Sequence, residues 1–97
     1  MIIRIVKMTF LPEQIKDFII LFESGKAKIR SFEGCQHLEL WGDKADERIF
    51  FTYSIWNSEA DLTHYRFSEL FKDTWDRTRK SFAEKAEAHS IERLLTV

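Results

Sequence analysis

Cysteine occurs once in the 97 residues, proline once and glycine three times. A lone Cys35 can form no internal disulfide and no multi-cysteine zinc site, and it fits a reducing cytoplasm. So little proline and glycine excludes low-complexity tracts and linkers, and residues 1–97 read as a single domain. Neither charge sign dominates, since 15 basic and 16 acidic residues leave a net charge of −1. That balance argues against a nucleic-acid partner reached through a basic surface, and against an acidic tail. Long apolar runs are missing as well. The longest, Phe18 to Phe22, is far short of the ~20 residues that cross a bilayer. Charges inside the opening Met-Ile-Ile-Arg-Ile-Val-Lys leave no signal-peptide core. No membrane partner is expected.

What the chain has in excess is rings. Nine Phe, three Trp and two Tyr make it 14% aromatic. A small domain buries a smaller share of its surface than a large one. The rings therefore need a core, a pocket or a partner's surface.

The pattern along the chain is legible. Ile2 to Phe10 is β-branched and reads as a strand. Pro12 suits the first turn of a helix, where its missing N–H costs nothing. From Glu13 to Phe32, the residues Ile15, Phe18, Ile19, Phe22 and Ile29 recur at helical spacing, with Gly25 as a weak point. Glu33-Gly34 ends that pattern, and Cys35 to Trp41 alternates as a second strand. A polar connection at Gly42 to Asp46 leads into Arg48 to Trp56, the clearest strand in the chain. Ser58 can cap a short helix reaching Arg66, with Asp61 at the capping-box position. Ser68 can cap the next, where Phe71, Trp75, Thr78 and Phe82 form one stripe. Ser90 to Val97 is expected to close the chain as a strand, with His89 just before it on the surface. The order β-α-β-β-α-β predicts an α+β, ferredoxin-like sandwich with an antiparallel sheet and its helices on one face.

Such a sheet has a second, bare face. Phe50, Thr52, Ser54 and Trp56 share one parity of the third strand, and Ile49, Phe51, Tyr53 and Ile55 the other. Strands apolar on both sides are buried on both sides. A second copy of the chain, packed sheet to sheet about a two-fold axis, is the simplest cover. Base stacking by an RNA-recognition domain is the competing use of an aromatic face. Against it, Arg48-Ile49-Phe50-Phe51-Thr52-Tyr53 has no Gly, and its rings fall on both faces.

The run Tyr53-Ser54-Ile55-Trp56-Asn57-Ser58-Glu59-Ala60-Asp61-Leu62 ends a strand in Trp and enters a short helix through a small polar cap. It resembles the strand-to-helix junction of the antibiotic biosynthesis monooxygenase (ABM) superfamily. Ser68 and Phe71 match the small residue and aromatic that open that family's next helix. The resemblance implies a homodimeric α+β barrel with a pocket between helices and sheet in each subunit. It further implies cofactor-independent oxidation of a small phenolic, quinol or polyketide-like aromatic by O2. Family members often carry a His nine residues after the junction Trp; here Tyr65 stands there, and His64 precedes it. One residue is about 100° of helix, so the two face differently. Haem-degrading members carry an Asn, a Trp and a His where an ungapped match finds Val6, Tyr65 and Trp75, which speaks against haem chemistry.

The candidate catalytic residues are His64, as a base toward a phenol, and Tyr65, as a hydrogen-bond donor to the substrate oxygen. Trp56, Trp75 and Phe71 are the candidate substrate-binding rings. Each also has a plain reading. His64 is then a surface position, and the rings are core. Cys35, His37, Glu39 and Trp41 share strand parity, but same-face neighbours are ~6.5–7 Å apart along a strand, too wide for one metal ion. Arg4 and Lys7 point to opposite faces, and either could meet a substrate anion. A non-catalytic dimer that binds a small hydrophobic molecule would use the same rings without a base.

Overall fold

The computed structural model describes residues 1–97. Strand β1 is Ile2–Thr9 and, after a single 3-10 turn at Pro12–Gln14, helix α1 is Ile15–Arg30. Strands β2 (Cys35–Gly42) and β3 (Ile49–Trp56) follow, then helices α2 (Glu59–Arg66) and α3 (Glu69–Arg79), and strand β4 (Glu87–Ile91). The strands form one antiparallel sheet in the order β2-β3-β1-β4, the α+β ferredoxin-like arrangement. The helices cover one face of it. No helix is long and apolar enough to cross a membrane.

Register decides what each face holds. Arg4 pairs with Ser54, Val6 with Thr52 and Met8 with Phe50, and all six face the helices. Lys7 pairs with Phe51, Ile5 with Tyr53 and Ile3 with Ile55 on the other side. Phe50 and Phe51 thus stand back to back, as alternation requires.

Both later helices start as their caps dictate. Ser58 Oγ accepts from the Asp61 N–H at 3.1 Å and donates to Asp61 Oδ2 at 3.1 Å. Ser68 Oγ accepts from the Phe71 N–H at 3.1 Å and donates to the Tyr65 carbonyl at 2.6 Å, so it closes α2 and opens α3 together. Such caps contribute about 1 kcal/mol each. Gly34 has φ +90°, and a Cβ there would lie 2.4 Å from Asp61 Cβ. Only glycine both reaches that backbone conformation and lets the β2 entrance pass under α2.

Helix α1 is one continuous helix through Gly25, as its periodicity predicts. Other expectations change, and the first is that its buried stripe is narrower than the spacing suggests. Phe18 and Ile29 are buried, whereas Ile19 is 40% exposed. In β2 a bulge lies between Cys35 and His37, so Cys35 pairs with Trp56 on the helix side while His37 pairs with Ile55 on the other. The Cys-His-Glu row on one face does not exist, because the extra residue reverses the parity.

The last strand is Glu87–Ile91, three residues earlier than its apolar content implied, and His89 lies within it opposite Ile5. Leu94, Leu95 and Val97 are exposed and belong to no strand. β4 is an exposed edge held by main-chain pairing to β1, so side-chain hydrophobicity did not mark it.

Candidate functional site

Between the helices and the inner sheet face lies a cavity of about 300 Å³. That is at the small end for ligand pockets. Its sheet wall presents Val6 and Met8 from β1, Leu38 from β2 and Thr52, Ser54 and Trp56 from β3. Its helical wall presents Phe18 and Phe22 from α1, Leu62 and Tyr65 from α2, and Phe71, Trp75 and Thr78 from α3.

Ring packing makes these walls continuous. Trp56 stacks on Tyr65 with centroids 4.7 Å apart, and Phe71 meets the Tyr65 ring edge-on at 5.3 Å. Phe71 lies parallel to Trp75 at 5.9 Å, and Trp75 meets Phe82 at 5.5 Å. Phe82 packs on Phe10, which stacks on Phe18 at 4.1 Å. Each such pair adds about 0.5–1.5 kcal/mol beyond the area it buries.

The polar groups are few and mostly satisfied. Trp56 Nε1 donates to Ser54 Oγ at 3.0 Å, and Thr78 Oγ1 donates to the Thr74 carbonyl at 2.7 Å. No buried side-chain polar atom lacks a partner. The Tyr65 ring is buried, and burial first, with Cys35 second, pushes its phenol well above the ordinary value of 10.0. Tyr65 is therefore a neutral donor at physiological pH and cannot serve as a base. Arg4 reaches the cavity from β1 and Arg66 from the end of α2. Burial, then the neighbouring Arg66 charge, pulls the Arg4 guanidinium below its usual 12.5. It stays protonated all the same.

Trp56, Tyr65, Phe71 and Trp75 meet at this cavity. His64 does not. It is exposed, its ring lies 5.5 Å from that of Phe32, and the cavity wall does not include it. The turn of about 100° between neighbouring helical residues separates it from Tyr65. Arg66 is the lining residue that the spacing argument passed over. Its signal is slight: a basic residue just past Tyr65 at a helix end. Thr52 and Ser54 were legible through their shared parity with Trp56. Cys35 is buried beside Trp56, where burial above all raises its thiol pKa, so it is a poor nucleophile.

The opposite sheet face carries a separate polar row. His37 Nε2 bonds Glu39 Oε2, Trp41 Nε1 donates to Glu39 Oε1 at 2.7 Å, and Trp41 stacks on Tyr53 at 4.7 Å. The Trp41 bond first, and His37 second, hold the Glu39 carboxyl below its ordinary value. No group of three or more acidic, His or Cys side chains is arranged to hold a metal.

Solved structures share this fold along nearly their whole length. An antibiotic biosynthesis monooxygenase superposes with a TM-score of 0.91 at 19% identity, over 98% of this chain and 100% of its own. A conserved protein from Methanosarcina mazei Go1 gives 0.88 at 22% identity, over 95% of this chain and 92% of its own. Rv0793 from Mycobacterium tuberculosis gives 0.88 at 15%, over 98% and 96%. At such identities the likeness carries the fold alone. No functionally curated protein matches the chain. Membership rests on the sequence itself: with residues 1–77 matching the family model described as antibiotic biosynthesis monooxygenase, this chain belongs to that family.

Proposed function

We propose that the protein is a cofactor-independent monooxygenase acting on a small phenolic, quinol or polyketide-like aromatic. The observation that carries this reading is the ring-lined cavity with a neutral Tyr65 phenol and two arginines in its walls. A flat electron-rich substrate fits such walls, and Tyr65 can donate to its oxygen. Arg4 and Arg66 favour the ionised form of that substrate and so lower its pKa. The anion is the reductant. The substrate gives up two hydrogens, one as the proton lost on ionisation and one from the carbon that is oxidised. That carbon gains one oxygen from O2, and the second oxygen leaves with both hydrogens as water. His64, outside the cavity, takes no part in this scheme.

A two-fold dimer packed through the outer sheet face belongs to the same proposal. Ile3, Ile5, Phe51, Tyr53 and Ile55 line that face with no helix over them. Light scattering on the purified protein tests it, and a stable monomer would remove the dimer from the reading.

One observation favours a non-catalytic ligand binder instead. The cavity wall contains no Asp, Glu or His that could remove a proton. Oxygen uptake with a panel of naphthols, anthrones and quinols separates the two. Substrate-dependent uptake, with one O2 consumed per product, is the expected outcome. Tight binding of the same panel without uptake would replace the monooxygenase with the binder.

A further inference from the structure

Arg4 and Arg66 both line the cavity, and neither takes part in any of the chain's six ion pairs. Arg4 is half-buried and makes one side-chain hydrogen bond, from Nη1 to Ser90 Oγ at 2.8 Å. Its other donors are free. Arg66, the last residue of α2, is exposed at the rim. The cavity they share holds no carboxylate of the protein. A guanidinium against an apolar wall with no counter-ion is costly, and a second one beside it adds repulsion. Of the other five arginines, three are paired with acids, Arg48 with Asp46, Arg77 with Asp73 and Arg79 with Asp76, while Arg30 donates to the Cys35 carbonyl and Arg93 lies exposed beyond the last strand. The two that face the cavity are left without acids.

One ligand group answers both needs. A carboxylate neutralises the pair, and its two oxygens match the planar fork of a guanidinium. The remaining walls are mostly rings, such as Phe71 and Trp75, and aliphatic side chains, with a few hydroxyls such as those of Thr52 and Ser54, and suit the flat apolar body of the ligand. We infer that the cavity selects a small planar aromatic acid, with its carboxylate held by Arg4 and Arg66. This rests on the aromatic-substrate reading above and narrows it from phenols and quinols in general to those bearing an acid group.

Isothermal titration calorimetry with 2-naphthoate and 2-naphthamide tests it, since the two differ in charge but hardly in shape. At neutral pH the naphthoate is expected to bind about tenfold more tightly or better. That ratio should shrink as salt rises. In Arg4→Gln and in Arg66→Gln it should fall to about threefold or less. Circular dichroism checks folding; should Arg4→Gln not fold, Arg66→Gln and the salt series still decide. Equal affinities in the unaltered protein, or a preference that persists in both folded variants, would overturn the acid preference and leave the aromatic pocket standing. Failure of both ligands to bind would overturn the aromatic-substrate reading itself.

Discussion

At the Phe10 end of the sheet, Met8, Phe10 and Phe18 form a cluster of hydrocarbon and one thioether, with Phe22, Phe50 and Phe82 packed around it. At the Trp56 end, the cluster of Ile29, Cys35, Trp56, Leu62 and Tyr65 carries an indole N–H, a thiol and a phenol. Both touch the same cavity. The first serves mainly to hold shape, because it has no donor and its one thioether is only a weak acceptor. In the second, the indole N–H is taken up by Ser54 and the thiol by the His37 carbonyl, which leaves the Tyr65 phenol as the donor that the proposed function assigns to a ligand's oxygen. Scaffold and chemistry are thus divided along the length of one sheet, and the division can be tested by damaging each end.

The largest effect is expected from Phe10→Ala. Phe10 is fully buried and in contact with three other rings. Its loss should cost about 3–5 kcal/mol, read as a lower urea midpoint. A cost near that of a surface change would mean the hydrocarbon end is not the scaffold. Trp56→Phe probes the other end. It keeps a ring against Tyr65 but removes the bond to Ser54 Oγ, so a loss of about 1–2 kcal/mol is expected. Aromatic-ligand affinity should weaken alongside, whereas a protein altered only at a passive core position would bind as before.

A smaller effect should appear only in alkali. Tyr65 has its phenol pKa raised in the folded state above the unfolded value of 10.0. Above that pH the unfolded chain releases the proton while the folded chain keeps it, so stability is full below pH 10 and falls as pH rises beyond it. Urea midpoints of the unaltered protein and Tyr65→Phe should therefore converge or cross above pH 10, the phenylalanine variant lacking that part of the slope. Parallel curves would mean the phenol is wetter than its burial implies. The smallest effect belongs to His64→Ala. An exposed residue outside the cavity should change stability by no more than about 0.5 kcal/mol and leave ligand affinity intact. A large loss of turnover in this variant would bring His64 back into the chemistry.

Much of this was legible from periodicity. Trp56, Tyr65, Phe71 and Trp75 meet because a strand parity, a capped helix and a four-residue spacing each point inward, and all three patterns are local. Non-local features were hidden. The bulge before His37 depends on how β2 pairs with β3, which alternation cannot reveal. Strand β4 was misjudged because Glu87-Ala88-His89-Ser90-Ile91 owes its conformation to main-chain bonds with β1, while the more apolar tail beyond it had no partner. Arg4 was visible as a residue opposite in facing to Lys7, but which of the two meets the helices, and Arg4's lack of an acid partner, are properties of the assembled site. Arg66 needed the end of α2 to be located at the cavity, near enough for its charge to act on Arg4, before that charge meant anything.

The irregularity in β2 bears on which changes of chain length the protein can absorb. With Cys35 opposite Trp56 and His37 opposite Ile55, Gln36 is the supernumerary residue, and it is exposed. Removing it would bring Cys35 and His37 into ordinary alternation, each still on its present side. Removing Leu38 instead would exchange the contents of the two faces on one side of the gap, sending His37 or Glu39 toward the rings. The strand therefore has one dispensable position beside several that are not, and length variation among relatives should gather at the former.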